Sequence, residues 1–414
     1  MIEIDNVGDV DPWFAAGSPT PASFLGIDLR SFTSRLIAAP LRDCAFLGCE
    51  LEEQLSSAAL KAGAFIVPER PGLPFRMFRP IYSVADIYSG FDPQVPGSWQ
   101  TSFDHSAYSW FMDPATKAPR QIGLADRMAA RTHDAAMERA IGRFLAAFPG
   151  RAVAFMGGHD RDRTDAGYRK VAALARELRR TGRMIITGGG PGFMEAANLG
   201  AFLAPYPDGE LDSSLATLSA APSYRQTHDW LRTACEVRTR LLGDWKAAER
   251  PESSNLGIPT WLYGHEPPNL FSSHIGKFFF NSLREDGLVT IADGGIVFAE
   301  GNAGTVQEIF QDVTQNYYRP AGLAPTPMVL FNSTPGFWNL PCDQVVDPAR
   351  KKPVHQLLSQ LAGERAASAF DSAVLLEEDP AKIVQFLTRT APLRAGGEAE
   401  AGPTKGELWQ AGFA

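Results

Sequence analysis

Short apolar runs alternate with amphipathic stretches over most of the chain. Beyond residue 150, apolar runs predict buried strands at 152–156, 184–187, 257–263, 295–299, 328–331 and 373–376. Stretches with helical spacing of apolar residues predict helices at 164–181, 195–204, 224–245, 271–285, 306–317, 353–363 and 379–389. Strands that alternate with helices at this spacing predict an α/β fold, a doubly wound, Rossmann-like and mostly parallel sheet.

The first 150 residues predict a separate α/β-like extension. A strand at 44–48, a helix at 50–62 and a strand at 64–67 indicate a βαβ unit. We expect irregular chain at 1–30, an irregular covering layer rich in proline and aromatic residues at 68–120, a helix at 126–148 and a loop at 205–222. Pro149-Gly150 indicates a domain boundary. The predicted division is therefore 1–150, 151–390 and a flexible tail, 391–414.

Composition narrows the classes of function. A length of 414 residues suits two domains, and a net charge of -8 argues against a general nucleic-acid binder. The first residues lack a signal-peptide pattern, and no apolar run reaches the roughly 20 residues that cross a bilayer, so we expect a cytoplasmic protein without membrane contact. The four cysteines show no zinc-site or disulfide spacing. We expect neither a metal nor another cofactor.

A glycine-rich turn follows the apolar run 184–187 and precedes a predicted helix. Four of the five residues from Gly188 to Gly192 are glycines. Glycines let a ligand approach backbone N–H groups, and the start of a helix adds a partial positive charge. A ligand-free turn would need fewer glycines, so the pattern favours a phosphate site.

Two further turns are expected beside it, because the carboxyl ends of parallel strands share one edge. They are 157–160, with Gly157 and Gly158, and 301–305, with Gly301, Gly304 and Thr305. Glu308 lies one helical turn beyond the latter, opposite the apolar stripe. Spacing alone supports two interpretations equally: a carboxylate of the site, or the glutamate of a capping box that starts at Thr305.

The segments GGGPGFMEAANLGA (188–201) and GNAGTVQE (301–308) together resemble the paired signature of the LOG (Lonely Guy) family, over about residues 151–390. Many members have been labelled lysine decarboxylases, and the family is similar to phosphoribohydrolases that split nucleoside 5′-monophosphates. The first segment is closest to the larger bacterial nucleotide nucleosidases. The second departs from the family: Glu300-Gly301-Asn302 stands where Pro-Gly-Gly is usual.

The resemblance implies a hydrolase that releases base and ribose 5-phosphate and needs no cofactor. It implies Glu308 as a catalytic residue with Arg284 as its cation, and Lys277 as the alternative cation. The three turns and the resemblance together predict the following substrate-binding residues: Gly157, Gly158, Gly188, Gly189, Gly190, Gly192, Met194, Glu195, Asn198, Gly301, Gly304 and Thr305. Asn198 suits helix packing nearly as well as a place in the pocket.

Other functions fit the same pattern. One is a protein that binds a nucleotide or molybdenum cofactor without turnover, and another is a nucleotide-sensing regulator that uses residues 1–150. The resemblance also implies a homodimer or a dimer of dimers. Five large apolar residues between 271 and 280 also support pairing. They cover more than one face of a helix, so a partner subunit would bury the remainder, unless the N-terminal part of the chain covers it. They are Phe271, Ile275, Phe278, Phe279 and Phe280.

Overall fold

The computed structural model describes residues 2–148, 151–263, 266–320, 323–340, 351–364 and 369–393. They form two compact units. The first contains the described residues up to Ile81 together with Arg120–Ala140, and the second contains Tyr82–Pro119 and the described residues from Ile141 onward. This division differs from the predicted boundary at residue 150, because residues 82–119 belong to the second unit. The predicted boundary Pro149-Gly150 and the tail from 394 lie outside the described residues.

The first unit is built on a four-stranded parallel sheet in the order β1-β2-β3-β4. Its strands are β1 (Ile2–Ile4), β2 (Ala22–Leu25), β3 (Ala45–Leu47) and β4 (Phe65–Val67). Helices α1 (Val10–Ala15), α2 (Thr33–Ile37) and α3 (Glu53–Ala62) connect them. The predicted βαβ unit at 44–67 is confirmed, whereas the expectation of irregular chain at 1–30 was wrong. The core of the sheet includes Phe24 and Phe46, whose rings stack at 5.0 Å.

The second unit contains a seven-stranded sheet in which each strand pairs in parallel with its neighbours. Its strands are β5 (Ala152–Met156), β6 (Met184–Thr187), β7 (Asn255–Gly257), β8 (His274–Ile275), β9 (Gly295–Phe298), β10 (Met328–Phe331) and β11 (Val374–Glu377). The order is β11-β10-β9-β5-β6-β7-β8. The predicted doubly wound parallel fold is confirmed, and the chain changes direction across the sheet between β5 and β9.

Helices connect these strands. They are α7 (Ala166–Arg180), α8 (Phe193–Phe202), α9 (Gly209–Leu218), α10 (Thr227–Leu242), α11 (Asn281–Thr290), α12 (Ala303–Tyr317), α13 (His355–Glu364) and α14 (Pro380–Thr390). Helices α7, α8 and α14 pack together, as do α11, α12 and α13. Helix α9 replaces part of the loop expected at 205–222. Three further helices, α4 (Val84–Ile87), α5 (Phe103–Phe111) and the long α6 (Leu124–Ala147), precede the seven-stranded sheet in the chain.

The aromatic segment 271–280 was wrongly predicted as the start of a helix. It forms β8 and extended chain, and α11 begins only at Asn281. Phe279 is fully buried against Trp110, Phe111 and Trp261, with ring centroids 4.5–5.6 Å away. Phe271, Ile275 and Phe278 are buried too. The chain therefore covers this segment itself, and the apolar argument for a dimer fails.

Within the described residues, no helix is long and apolar enough to cross a membrane.

Candidate active site

The three predicted turns meet at the carboxyl edge of the seven-stranded sheet. The backbone N–H of Gly158 donates to the carbonyl of Glu300 at 2.9 Å, and that of Phe193 donates to the carbonyl of Gly158 at 3.2 Å. A Cβ at Gly157 would lie about 3.0 Å from the Phe193 ring. The meeting point adjoins β5 and β9, where the strand order reverses. Doubly wound sheets bind ligands at this position.

The glycine turn 188–192 is buried by the chain itself. Gly189 and Gly192 have φ of +71° and +70°, which disfavours a side chain at either position. A Cβ at Gly189 would also approach Pro259 Cδ to 2.6 Å, and one at Gly192 would lie 2.7 Å from the carbonyl oxygen of His159. Internal packing and backbone conformation therefore explain these glycines without a ligand.

Gly188 and Gly190 face a cleft. A Cβ at Gly188 would collide with the Arg284 guanidinium, so the missing side chain makes room for that cation. At Gly190 the nearest atom is the flexible end of Met194, at 2.9 Å. Of the four glycines, these two adjoin space that a ligand can enter.

Glu195 was predicted to bind substrate, but its carboxylate is buried and engaged elsewhere. Arg163 donates to both of its oxygens, from Nη2 at 2.5 Å and from Nε at 3.0 Å. Arg163 also stacks over Trp230, with its Cζ 4.8 Å from the ring centroid. A fully buried, bidentate pair is a structural contact, so the prediction for Glu195 is corrected.

Asn198 is also fully buried and supports the turn from beneath. Its Oδ1 accepts hydrogen bonds from Thr187 Oγ1 at 2.7 Å and from Asn269 Nδ2 at 2.9 Å. Its Nδ2 donates to Asn255 Oδ1 at 2.8 Å. Asn269 in turn donates to the carbonyl of Gly190. The predicted place of Asn198 in the pocket is therefore replaced by a buried amide network that holds the turn.

The amino end of α12 is open, in contrast to the first glycine turn. Its N-cap Asn302 makes no side-chain capping bond, and residues 302–304 are exposed. Within the described chain, the backbone N–H groups of residues 303–305 donate no hydrogen bond. Thr305 is buried and packs against Gly301. Free N–H groups and the helix dipole favour an anion here.

The capping interpretation of Glu308 is excluded by where α12 begins. The helix starts at Ala303, so Thr305 lies inside its first turn and is not the N-cap. Glu308 is instead half-buried on the same helix face as Gly304, one turn later. Gly304 has open space around it. The carboxyl group and the open helix end are therefore neighbours along α12.

The pKa of Glu308 is raised from 4.5 to about 7, because the effect of burial and, to a lesser extent, of the charge of Glu285 outweighs the opposing charge of Arg284. Arg284 is held by hydrogen bonds from Nε to the carbonyl of Ile258 at 2.8 Å and from Nη1 to Asn281 Oδ1 at 3.1 Å. The guanidinium thus acts on Glu308 through its charge, from a fixed position.

The alternative cation, Lys277, belongs to a different environment. Its Nζ donates to Asp104 Oδ1 at 2.6 Å and lies 5.3 Å from the centroid of Trp261. Both charged groups are buried. Because this pair is enclosed, Arg284 is the cation at Glu308.

Two clefts flank the meeting turns, and they share no lining residue. The larger, of about 450 Å³, is lined by Gly158, Asp160, Arg161, Asp162, Thr164, Asp165, Glu300, Gly301, Asn302 and Phe337. The smaller is a shallow cleft of about 50 Å³ and is lined by Gly188, Gly190, Met194, Pro259, Thr260, Tyr263, Glu266 and Arg284. The sequence motifs predicted the glycines, Met194 and Arg284 as residues of the site. They did not indicate Tyr263 and Glu266, because neither residue belongs to a motif or a regular spacing.

Glu300, the first residue of the segment Glu300-Gly301-Asn302, has a structural role within the chain. Its buried carboxylate accepts a hydrogen bond from Ser333 Oγ, at 2.6 Å, and another from the backbone N–H of Thr334. It therefore orders the chain after β10, and the N–H groups of α12 remain free.

Comparisons with known protein families and with curated proteins identify no relative of this chain. Models of known protein families do not match the chain, and a search of curated proteins finds no match. The resemblance to the LOG family thus stays a prediction that rests on the two segments.

Proposed function

We propose that this protein hydrolyses the N-glycosidic bond of nucleoside 5′-monophosphates and releases base and ribose 5-phosphate. The observation that carries the proposal is Glu308: a half-buried carboxyl group beside a fixed guanidinium, one turn from an open helix end. Carboxyl groups whose pKa values are strongly shifted are frequent at catalytic sites.

The phosphate would bind at the amino end of α12. Three free N–H groups and the helix dipole suit a dianion, and Gly304 leaves its approach open. Glu308 lies six positions beyond Asn302, which is about 9 Å along a helix. That length matches a phosphate and the ribose attached to it. The buried turn 188–192 would contribute the wall of the site.

The bond between the base and the anomeric carbon breaks with its electron pair going to the base. Positive charge then develops on the ribose, and ionised Glu308 would stabilise it. Water adds its hydroxide to the anomeric carbon, and its proton ends on the released base. Arg284 would balance negative charge on phosphate or leaving base.

A binding protein without turnover is the second candidate. In the sequence, the altered segment Glu300-Gly301-Asn302 favoured this candidate. In the structure, Glu300 accepts a hydrogen bond from Ser333, so a structural role accounts for the altered residue. Native mass spectrometry distinguishes the two, because a tightly held pterin or nucleotide at one per chain would favour the binding protein.

The enzyme proposal is tested by incubating the purified protein with AMP, GMP, CMP and UMP and assaying for free base. Release from at least one nucleotide is expected. A folded protein that releases none would exclude the hydrolase.

A further inference from the structure

The smaller cleft combines apolar surfaces with polar groups, among them one carboxylate. Pro259, Met194 and the ring of Tyr263 supply the apolar surfaces. Tyr263 is 52% exposed, and its hydroxyl accepts a hydrogen bond from Asn281 Nδ2 at 2.9 Å. Flat, apolar surfaces of this kind suit the faces of a heterocyclic base.

Glu266 provides this carboxylate. Its Oε2 lies 3.6 Å from the position that a Cβ on Gly190 would occupy, so the carboxylate faces the bare backbone of the turn. Its Oε1 lies 3.7 Å from His159 Nδ1, too far for a hydrogen bond. Within the described residues no donor lies within hydrogen-bond distance of this carboxylate, which therefore keeps its capacity to accept hydrogen bonds from a ligand.

The base of a nucleotide lies on the opposite side of the ribose from the phosphate. With the phosphate at the amino end of α12 and the ribose at Glu308, the base extends toward Arg284, which lines this cleft. The placement rests on the proposed function.

We propose that Glu266 accepts hydrogen bonds from the edge of the leaving base and so selects bases with two adjacent N–H donors. A carboxylate is an acceptor only and binds two parallel donors best. Guanine presents such a pair in its N1–H and 2-amino groups. Adenine and cytosine present a donor beside an acceptor, and uracil presents one donor between two acceptors.

Calorimetric binding of GMP and IMP tests this, because IMP lacks only the 2-amino group. The wild type is expected to bind GMP about tenfold more tightly, as for a hydrogen bond to a charged group. In Glu266→Gln the ratio should fall to about one, with an unchanged thermal midpoint. Glu236→Gln, which removes a surface carboxylate paired with Arg232, is the matched control and should keep the wild-type ratio.

Base release, measured on the same samples, separates this inference from the proposed function. A GMP preference that Glu266→Gln abolishes, without base release, would leave the inference standing and contradict the hydrolase. Equal binding of GMP and IMP by the wild type, an unchanged ratio in Glu266→Gln, or no binding of either nucleotide would overturn the inference.

Discussion

Glu308 illustrates how one residue's surroundings set its chemistry. Burial raises its pKa to about 7, so the free protein carries a protonated carboxyl group below that pH. Only the ionised form can stabilise positive charge on the ribose. We therefore expect kcat/KM to fall about tenfold per pH unit below pH 7 and to level off above it. A rate that is flat between pH 5 and 8, measured by base release, would show that Glu308 does not act in this form.

The same shift has a consequence for stability. A carboxyl group whose pKa is higher in the folded than in the unfolded chain costs stability as pH rises from about 4.5 to 7. Glu308→Gln removes that cost. At pH 8 we expect the variant to be more stable than the wild type by about 1–2 kcal/mol, allowing for partial exposure.

Chemical unfolding at pH 4 and pH 8 measures the difference, which should nearly vanish at pH 4. A variant less stable than the wild type at pH 8 would instead indicate a structural role for the carboxylate.

Gly304 offers a test in which stability and function move in opposite directions. Neither a positive φ nor close packing requires a glycine here. Gly304→Ala should stabilise α12 by up to about 0.5–1 kcal/mol. Gly304→Leu should lower kcat/KM at least about tenfold, because its side chain would occupy the space between the helix end and Glu308.

Gly363→Leu is the matched control, since Gly363 also lies in a helix with open space around it. If Gly304→Leu retains activity, this face of α12 is not part of the site.

At the scale of elements, the sequence predicts the central strands best. The runs at 152–156, 184–187 and 328–331 match strands residue for residue, because all their residues but Thr187 are apolar and polar residues or turns bound them. The first two strands of the chain were missed because Glu3 and Ser23 interrupt their apolar residues, whereas the equally short strands at 45–47 and 65–67 are unbroken apolar runs. The segment 271–280 was misread because aromatic partners from 103–111, distant in sequence, bury it on several sides.

The candidate site was predictable in part. The two motifs and the topology of parallel sheets predicted that the three turns meet, and the spacing of residues on α12 indicated Glu308. Spacing gave no means to separate the buried ion pair of Glu195 or the amide network of Asn198 from ligand contacts, because a polar residue near a glycine turn suits either role. Glu266 was missed because a single carboxylate without helical or strand spacing carries no signal.

At the scale of the whole molecule, the resemblance predicts a homodimer or a dimer of dimers. The aromatic segment 271–280 gives no support to this prediction, because other parts of the same chain cover it. Phe279→Ala should therefore destabilise the chain by about 3–5 kcal/mol through a buried cavity and leave the molar mass unchanged. Chemical unfolding and light scattering at low micromolar concentration measure both. Tyr318→Ala, at a side chain 76% exposed, is the control. A fall in mass for Phe279→Ala alone would place Phe279 at an interface between chains.

The central claim is that Glu308 and the open end of α12 cleave a nucleotide between ribose and base. The most direct measurement is quantification of free base and ribose 5-phosphate after incubation of GMP with the wild type and with Glu308→Gln. We expect equal amounts of both products from the wild type and a loss of about 100-fold or more in the variant, which lacks the charge that matters in the transition state. Equal turnover by the two proteins, or no products from a folded wild type, would contradict the claim.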